Sequence, residues 1–253
     1  GADGETTMVA TLADAGLPPP AARGTVATGP AELAVVVPTF NEAANVTELV
    51  ARLSRVLDGL AWEVVFVDDD SPDGTATALR ALARRDARVR VVQRIGRRGL
   101  SSACIEGMLA TSAPFIAVMD ADLQHDESLL PDMVAALRAG RAELVIGSRY
   151  ARGGGVGQWD ASRERASRLA TKLAQRVLPA EVADPMSGFF MLRREVLESR
   201  MRALSGIGFK ILMDLMTAPG PAPRVLELPY QFRTRVAGES KLDALVAWDF
   251  LML

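Results

Sequence analysis

One cysteine and one histidine stand in a chain of 253 residues. A lone Cys104 cannot close an intramolecular disulfide, which fits a reducing compartment. A lone His125 cannot build a multi-histidine zinc site. A Ser-His-Asp hydrolase would have to use that same histidine from inside a run of carboxylates. Lysine is scarce too: Lys172, Lys210 and Lys241 are three of 29 basic residues, set against 31 acidic ones for a net charge of −2. The chain therefore lacks the broad basic field that neutralises nucleic-acid phosphates, and nucleic acid is not an expected partner. No run approaches the roughly 18 to 20 apolar residues that span a bilayer. The first strand does not lead into a G-x-G-x-x-G turn, and G-x-x-x-x-G-K-[ST] is absent, which disfavours a dinucleotide oxidoreductase and excludes a P-loop kinase. The first 30 residues also lack the basic start and apolar run of a signal peptide. They read as part of a flexible leader over residues 1–31, ahead of one domain over residues 32–253.

What is present is a hydrophobic fraction of 49%, enough for one large buried core. Short apolar runs alternate with helical patterns: strands at residues 34–37, 63–67, 88–93, 115–119 and 143–147, with helices between them. That rhythm predicts an α/β fold, a mostly parallel Rossmann-like sheet flanked by helices. In the first helix Val46, Leu49, Val50, Leu53, Val56, Leu57 and Leu60 recur at helical spacing, and Asn45 with Glu48 has the form of a capping box. Past residue 147 a glycine-rich stretch precedes a helix from about Asp160 to Leu178. FFMLRREVL, a short helix KILMDLMTA, a strand RVLELPYQF and a C-terminal amphipathic helix from near Ser240 follow.

Three polar clusters fall at strand ends, where doubly wound sheets place their sites. PTFNE (38–42) could simply be a turn into a helix. DDDSPDGT (68–75) is stronger, because three consecutive carboxylates repel one another unless a cation or hydrogen-bond donors intervene; Asp73-Gly74-Thr75 also reads as a turn that caps the next helix. DADLQH (120–125) is sharpest. Along an extended chain Asp120, Asp122 and, if extension persists, Gln124 point to one side. Two carboxylates beside a diphosphate suit Mg²⁺ or Mn²⁺. Arg163 and Ser167 share a helical face, with Arg149 just before the glycine-rich stretch; guanidinium forks match phosphate oxygens, although a solvated basic face is the plainer reading. Ser240 and Lys241 at a helix start, with Arg235 nearby, form a further candidate anion site.

PTFNE, VDDDSPDGT, MDADLQH, DPMSGFF (184–190) and RVAGESKL (235–242) occur in the order found in the dolichyl-phosphate mannose synthases, and the chain resembles that family over roughly residues 33–250. The resemblance implies a single GT-A domain of an inverting family 2 glycosyltransferase. It implies that Pro38, Phe40, Glu42, Asp68 and Asp69 line the nucleotide pocket, and that Asp120, Asp122 and Gln124 hold the metal. It also implies that Arg149, Arg163, Ser167 and Arg235 hold the acceptor phosphate. Phe40 stands where the family usually has Tyr, and Asp70 where it usually has Asn.

The expected reaction moves a sugar, mannose from GDP-mannose, onto a polyprenyl monophosphate, with a nucleotide-sugar donor and a membrane surface as partners. A UDP-glucose donor is the alternative, and a non-catalytic nucleotide-sugar binding module the rival from another class. DPMSGFF suggests family membership but, read alone, only a turn and two core phenylalanines. The apolar tail from Leu242, carrying Asp243 and Asp249, reads as lying on a membrane rather than crossing it. The expected place is the cytoplasmic side, peripheral at the inner membrane face.

Overall fold

A computed structural model describes residues 29–156, 182–208 and 211–233. Nearly all of the leader, the helix expected from about Asp160 and the tail from Ser240 lie outside the described residues. The strands are β1 (Leu33–Thr39), β2 (Trp62–Asp68), β3 (Val89–Gln93), β4 (Phe115–Val118), β5 (Leu144–Ser148), β6 (Phe190–Arg193) and β7 (Val225–Pro229). The helices are α1 (Val46–Val56), α2 (Thr75–Ala83), α3 (Leu100–Leu109), α4 (Leu130–Arg138), α5 (Arg194–Arg200) and α6 (Ile211–Thr217).

The strands form one sheet in the order β3-β2-β1-β4-β6-β5-β7. Every pairing is parallel except those of β6, which runs antiparallel to both β4 and β5. β1 is buried along its whole length, as expected of a parallel strand covered on both faces. Pleating splits the core accordingly. Leu33, Val35 and Val37 of β1, with Val64 and Phe66 of β2, pack under α1, α2 and α4. Val36, Val65 and Val67 face α3, α5 and α6. Gly107 of α3 is required where that helix approaches the sheet, because a Cβ there would collide with Val36 and Val67.

Two local expectations need correction. The capping box does not form: Asn45 makes no side-chain cap, its amide donating instead to Glu42 Oε2 at 2.8 Å. Glu48 turns outward to Arg52 at 2.8 Å. The helix also stops at Val56, short of Leu60, whose N–H closes a turn onto the Leu57 carbonyl around Gly59 at φ +80°. FFMLRREVL divides into the end of a loop, β6 and the start of α5. An apolar run carries no mark of strand direction, so the antiparallel insertion of β6 was invisible before folding.

Candidate active site

β1 has β2 on one side and β4 on the other, so the chain reverses its winding between β1 and β4. Ligands in such sheets bind outside the carboxyl ends at this switch point. PTFNE, DDDSPDGT and DADLQH all lie there. Because β5 and β7 run in the same sense as β4, the carboxyl ends of all three, with Arg149 and the segment Tyr230–Arg233, open onto the same edge.

Among the described residues the non-glycine positions with positive φ are Asn41 (57°), Asp70 (57°) and Leu123 (63°), one in each of the three motifs. Asn41 and Asp70 are residue types that enter this region readily, whereas Leu123 pays roughly 1 to 2 kcal/mol to be held there. Such strain persists only where neighbours over-determine it, and it gathers at functional turns. The network between the first two motifs supplies that constraint. Ser71 Oγ accepts from Asn41 N–H (3.0 Å), Thr75 Oγ1 from Glu42 N–H (3.0 Å) and Asp73 Oδ2 from Ala43 N–H (3.0 Å). Asp73 Oδ1 also takes the Thr75 N–H, closing the turn into α2, whose N-cap is Gly74 without a side-chain cap. Burial opposes the Asp73 charge, but these bonds outweigh it and hold the carboxyl below its ordinary value of 3.8.

The three adjacent carboxylates each face protein donors. Asp68 is fully buried, accepting from Thr39 Oγ1 (3.0 Å) and from Ser71 N–H (3.0 Å) and O–H (2.6 Å). Its carboxylate is thereby spent on bracing the turn between β1 and the Asp70 corner. Asp69 takes the Gly99 N–H on Oδ2 at 2.8 Å, while Oδ1 faces Arg94 Nε at 3.2 Å, out of line for a hydrogen bond. Burial raises its pKa above 3.8. Asp70 is exposed and accepts from the Gln93 side chain at 3.0 Å. Pro38 is buried, Phe40 half-buried under the Arg98 guanidinium (4.3 Å to the ring centre), and Glu42 buried.

Extension does not persist through DADLQH. Leu123 turns left-handed, and Asp122 Oδ1 accepts the Gln124 N–H at 3.1 Å in an Asx turn. Asp122 is thus 5% exposed, whereas the Asp120 side chain keeps 34% of its surface open. Gln124 is brought in by a partner instead of by alternation: its side-chain amide donates to the Arg233 carbonyl at 3.0 Å. His125 Nδ1 accepts the Asp120 N–H at 3.1 Å, and Nε2 lies 3.8 Å from Asp120 Oδ2. The imidazole thus caps the Asp120 backbone N–H through Nδ1. No cluster of three or more His, Cys, Asp or Glu suited to a metal occurs among the described residues. Two carboxylates and one amide oxygen nonetheless fit Mg²⁺ or Mn²⁺, which usually take a few protein ligands and complete their shell with water and substrate phosphate.

DPMSGFF, nearly mute as sequence, is packed against this centre. Asp184, fully buried, receives Arg149 N–H (3.0 Å), Nε (2.8 Å) and Nη2 (2.8 Å). Burial works against the Arg149 charge, but the Asp184 carboxylate prevails and holds the guanidinium above its usual range. Gly188 leaves room beside Asp120, where an added Cβ would sit 3.5 Å from Oδ2. Phe189 stacks on His125 with centroids 5.3 Å apart. Tyr230 and Phe232 complete the aromatic cluster, and burial pushes the Tyr230 phenol upward. The glycine-rich stretch is tied to the same segment: Gly155 N–H donates to the Tyr230 carbonyl (3.1 Å) and Phe232 N–H to the Gly155 carbonyl (2.9 Å).

The structure therefore brings together Pro38, Phe40, Glu42, Asp69, Asp120, Asp122, Gln124 and Arg149 at one edge. Arg163, Ser167, Arg235, Ser240 and Lys241 lie outside the described residues. Sequence reasoning missed Arg94, Gly99, Asp184 as a partner, Tyr230 and Arg233. The carboxyl-end rule applied to β3 and β7 would have pointed to all of these but Asp184.

Comparison with known proteins bears on this edge. Residues 34–201 match the family described as Glycosyl transferase family 2. Dolichol-phosphate mannosyltransferase of Pyrococcus furiosus is 40% identical over 222 residues, 87% of this chain and 62% of that protein. The chain thus spans somewhat less than two thirds of that relative's length. Dolichol-phosphate mannosyltransferase of Saccharomyces cerevisiae is 36% identical over 230 residues, 87% of this chain and 84% of that protein. Among solved structures, glucosyl-3-phosphoglycerate synthase from Mycobacterium tuberculosis in complex with Mn²⁺, UDP and phosphoglyceric acid superposes with a TM-score of 0.62 at 25% identity, covering 87% of this chain and 75% of that one. The same enzyme with Mn²⁺, UDP-glucose and phosphoglyceric acid gives 0.61 at 24%, covering 87% and 76%. The fold is GT-A.

Proposed function

The chain belongs to glycosyl transferase family 2, and from that premise we propose that it transfers mannose from GDP-mannose to a polyprenyl monophosphate of dolichyl type, with inversion at the anomeric carbon. The observation that carries this reading is the edge just described: the paired carboxylates Asp120 and Asp122 at the end of β4, beside the switch point, in a chain aligned over 87% of its length with dolichol-phosphate mannosyltransferases.

Asp69, Glu42 and Phe40, with buried Pro38 behind them, hold the nucleoside. Asp120, Asp122 and Gln124 hold Mg²⁺ or Mn²⁺, which when bound offsets the charge of the departing diphosphate. The acceptor phosphate needs no strong general base, because the second pKa of a phosphate monoester lies near 6 and its oxygen is already ionised at neutral pH. That oxygen attacks the anomeric carbon from the face opposite the diphosphate; one C–O bond forms, another breaks, and nucleoside diphosphate leaves. The chain's task is alignment. Arg149, held by Asp184, keeps a fixed cation at the end of β5; Arg163 and Arg235 are assigned with Ser167 to the acceptor phosphate, and Ser240 and Lys241 to the anion site beside them.

The membrane surface is the proposed second partner, with the protein peripheral at its inner, cytoplasmic face. No helix of the described residues is long and apolar enough to cross a bilayer. Ile95, 76% exposed after β3, and Ile207, 64% exposed in the loop whose Gly208 carbonyl accepts the Ser101 N–H at the start of α3, both lie toward the site-bearing edge. A lipid acceptor presented from the bilayer would meet that edge.

The test offers radiolabelled GDP-mannose and UDP-glucose in turn with polyprenyl phosphate, in Mg²⁺, Mn²⁺ or EDTA. Label from GDP-mannose should enter the lipid only with metal present. Label from UDP-glucose alone would overturn the donor assignment, transfer in EDTA the metal, and binding of either donor without transfer would favour the non-catalytic module.

A further inference from the structure

Arg233 is two residues short of Arg235 and belongs to none of the motifs singled out from the sequence. It follows β7, and all of its described contacts reach the loop that carries the metal ligands. Its N–H donates to the Gln124 carbonyl at 2.9 Å, and its own carbonyl accepts the Gln124 side-chain amide at 3.0 Å. Its guanidinium donates through Nη1 to Glu127 Oε2 and through Nη2 to Asp126 Oδ1, each at 2.7 Å.

The contacts divide into two jobs. The backbone pair orients Gln124: with the amide nitrogen turned onto the Arg233 carbonyl, the amide oxygen is the atom left to face the cation. The side-chain pair fixes the backbone of Arg233, since one planar fork spans two carboxylates that sit one and two residues beyond His125. Asp126 is itself immobilised, its Oδ1 accepting Ser128 N–H (3.1 Å) and O–H (2.7 Å). Glu127 is 7% exposed, with Arg52 Nη1 at 4.0 Å from its other oxygen. The Arg233 side chain is 37% exposed, so its ion pairs alone add little to global stability. Their geometry matters more, because they hold in register a loop whose Leu123 is in the left-handed region.

We propose that Arg233 is a positioning residue for the divalent cation: it acts through Gln124, and it joins the metal loop to the segment that leads into Arg235. The inference rests on the metal assignment of the proposed function, and it assigns no contact between Arg233 and substrate. Removing a group that orients a metal ligand typically lowers metal affinity by about 10- to 100-fold. Because Arg233 works through a single ligand of three, the lower end is expected.

The test is a Mn²⁺ titration followed by the EPR signal of the free ion, with GDP present and no acceptor, so that no turnover is read. Arg233→Met should weaken Mn²⁺ by about tenfold. In the steady state its Mn²⁺ requirement should rise by the same factor, with kcat largely restored at saturating Mn²⁺. Asp126→Asn/Glu127→Gln should reproduce the loss from the other side of the contact, and adding Arg233→Met to it should cost nothing further, since both remove one interaction. Arg233→Lys, whose ammonium cannot span both carboxylates as a fork does, should fall between; it also serves if Arg233→Met does not fold. A merely structural role would lower thermal stability without moving the Mn²⁺ affinity of the folded fraction. Wild-type Mn²⁺ affinity in Arg233→Met or in the double carboxamide variant would overturn the inference, as would a wild-type protein that binds no Mn²⁺. Failure of the wild type to glycosylate polyprenyl phosphate while Arg233→Met still loses Mn²⁺ would sink the proposed acceptor and leave this inference standing.

Discussion

Removing the Asp184 carboxylate should be among the most damaging single changes in the described part of the protein. Asp184 has no exposed surface, and the Arg149 side chain keeps 11% of its own. Asp184→Ala deletes three acceptor contacts, those to Arg149 N–H, Nε and Nη2, and takes the facing carboxylate from a largely buried guanidinium. Breaking one partner of a buried pair costs about 3 to 5 kcal/mol, most of it from the uncompensated charge left behind. For a domain of this size each kcal/mol moves the midpoint by about 2 to 4 °C, so a fall of roughly 6 to 20 °C is expected. Solvent screening calls for no discount here, in contrast to Arg138–Glu32, whose side chains are 54% and 29% exposed and whose loss through Glu32→Gln should cost no more than about 1 kcal/mol. Thermal and urea unfolding of both variants make the comparison. The double variant Arg149→Met/Asp184→Leu should be less destabilised than Asp184→Ala, because it leaves no buried charge alone. An Asp184→Ala loss no larger than that of Glu32→Gln, or a double variant worse than either single one, would refute the argument.

Four further outcomes follow from the same geometry. Asp122→Ala should abolish sugar transfer and weaken Mn²⁺ binding, while its loss of stability includes the bond from Gln124 N–H, worth about 1.5 to 3 kcal/mol for a charged acceptor; full activity in chelator would remove the metal assignment. Gly107→Ala should destabilise by about 1 to 3 kcal/mol through overpacking against Val36 and Val67, less the roughly 1 kcal/mol that alanine gains in a helix, and a more stable variant would mean that α3 can lift from the sheet. Asp73 has a folded pKa below its ordinary 3.8, so its ionised form stabilises the fold fully above that value and loses the effect as pH falls through it. The midpoint difference between wild type and Asp73→Asn should therefore be present at pH 6 and shrink below about pH 4; a difference that grows on acidification would reverse the sign. Ile95→Glu/Ile207→Glu should reduce sedimentation with anionic vesicles while sparing transfer to a short-chain water-soluble polyprenyl phosphate, and unchanged vesicle binding would move the membrane contact elsewhere.

The alternation of buried runs and helical spacing from AVVV to ELVIG determined, by itself, the three-layer arrangement and the edge at which chemistry gathers. Strands covered on both faces must be apolar throughout, and a parallel sheet collects its polar turns at the carboxyl ends. Asp120, Asp122, Glu42 and Asp69 were legible for that reason. Tertiary structure alone decided what these residues face. The antiparallel insertion of β6 between β4 and β5 is a pairing across more than seventy residues of chain, from Val118 to Phe190; it carries DPMSGFF to the DADLQH turn and gives Arg149 its carboxylate. Gln124 was expected from alternation, yet Leu123 ends the extension and Arg233, 109 residues away, holds the amide in place. Asp68 and Asp69 were expected side by side, but the pleat turns successive side chains to opposite faces, leaving one carboxylate with Thr39 and Ser71 and the other with the Gly99 N–H. Local sequence sets what a residue can do within its own strand or turn, whereas contacts between distant segments form only once the sheet has closed around them.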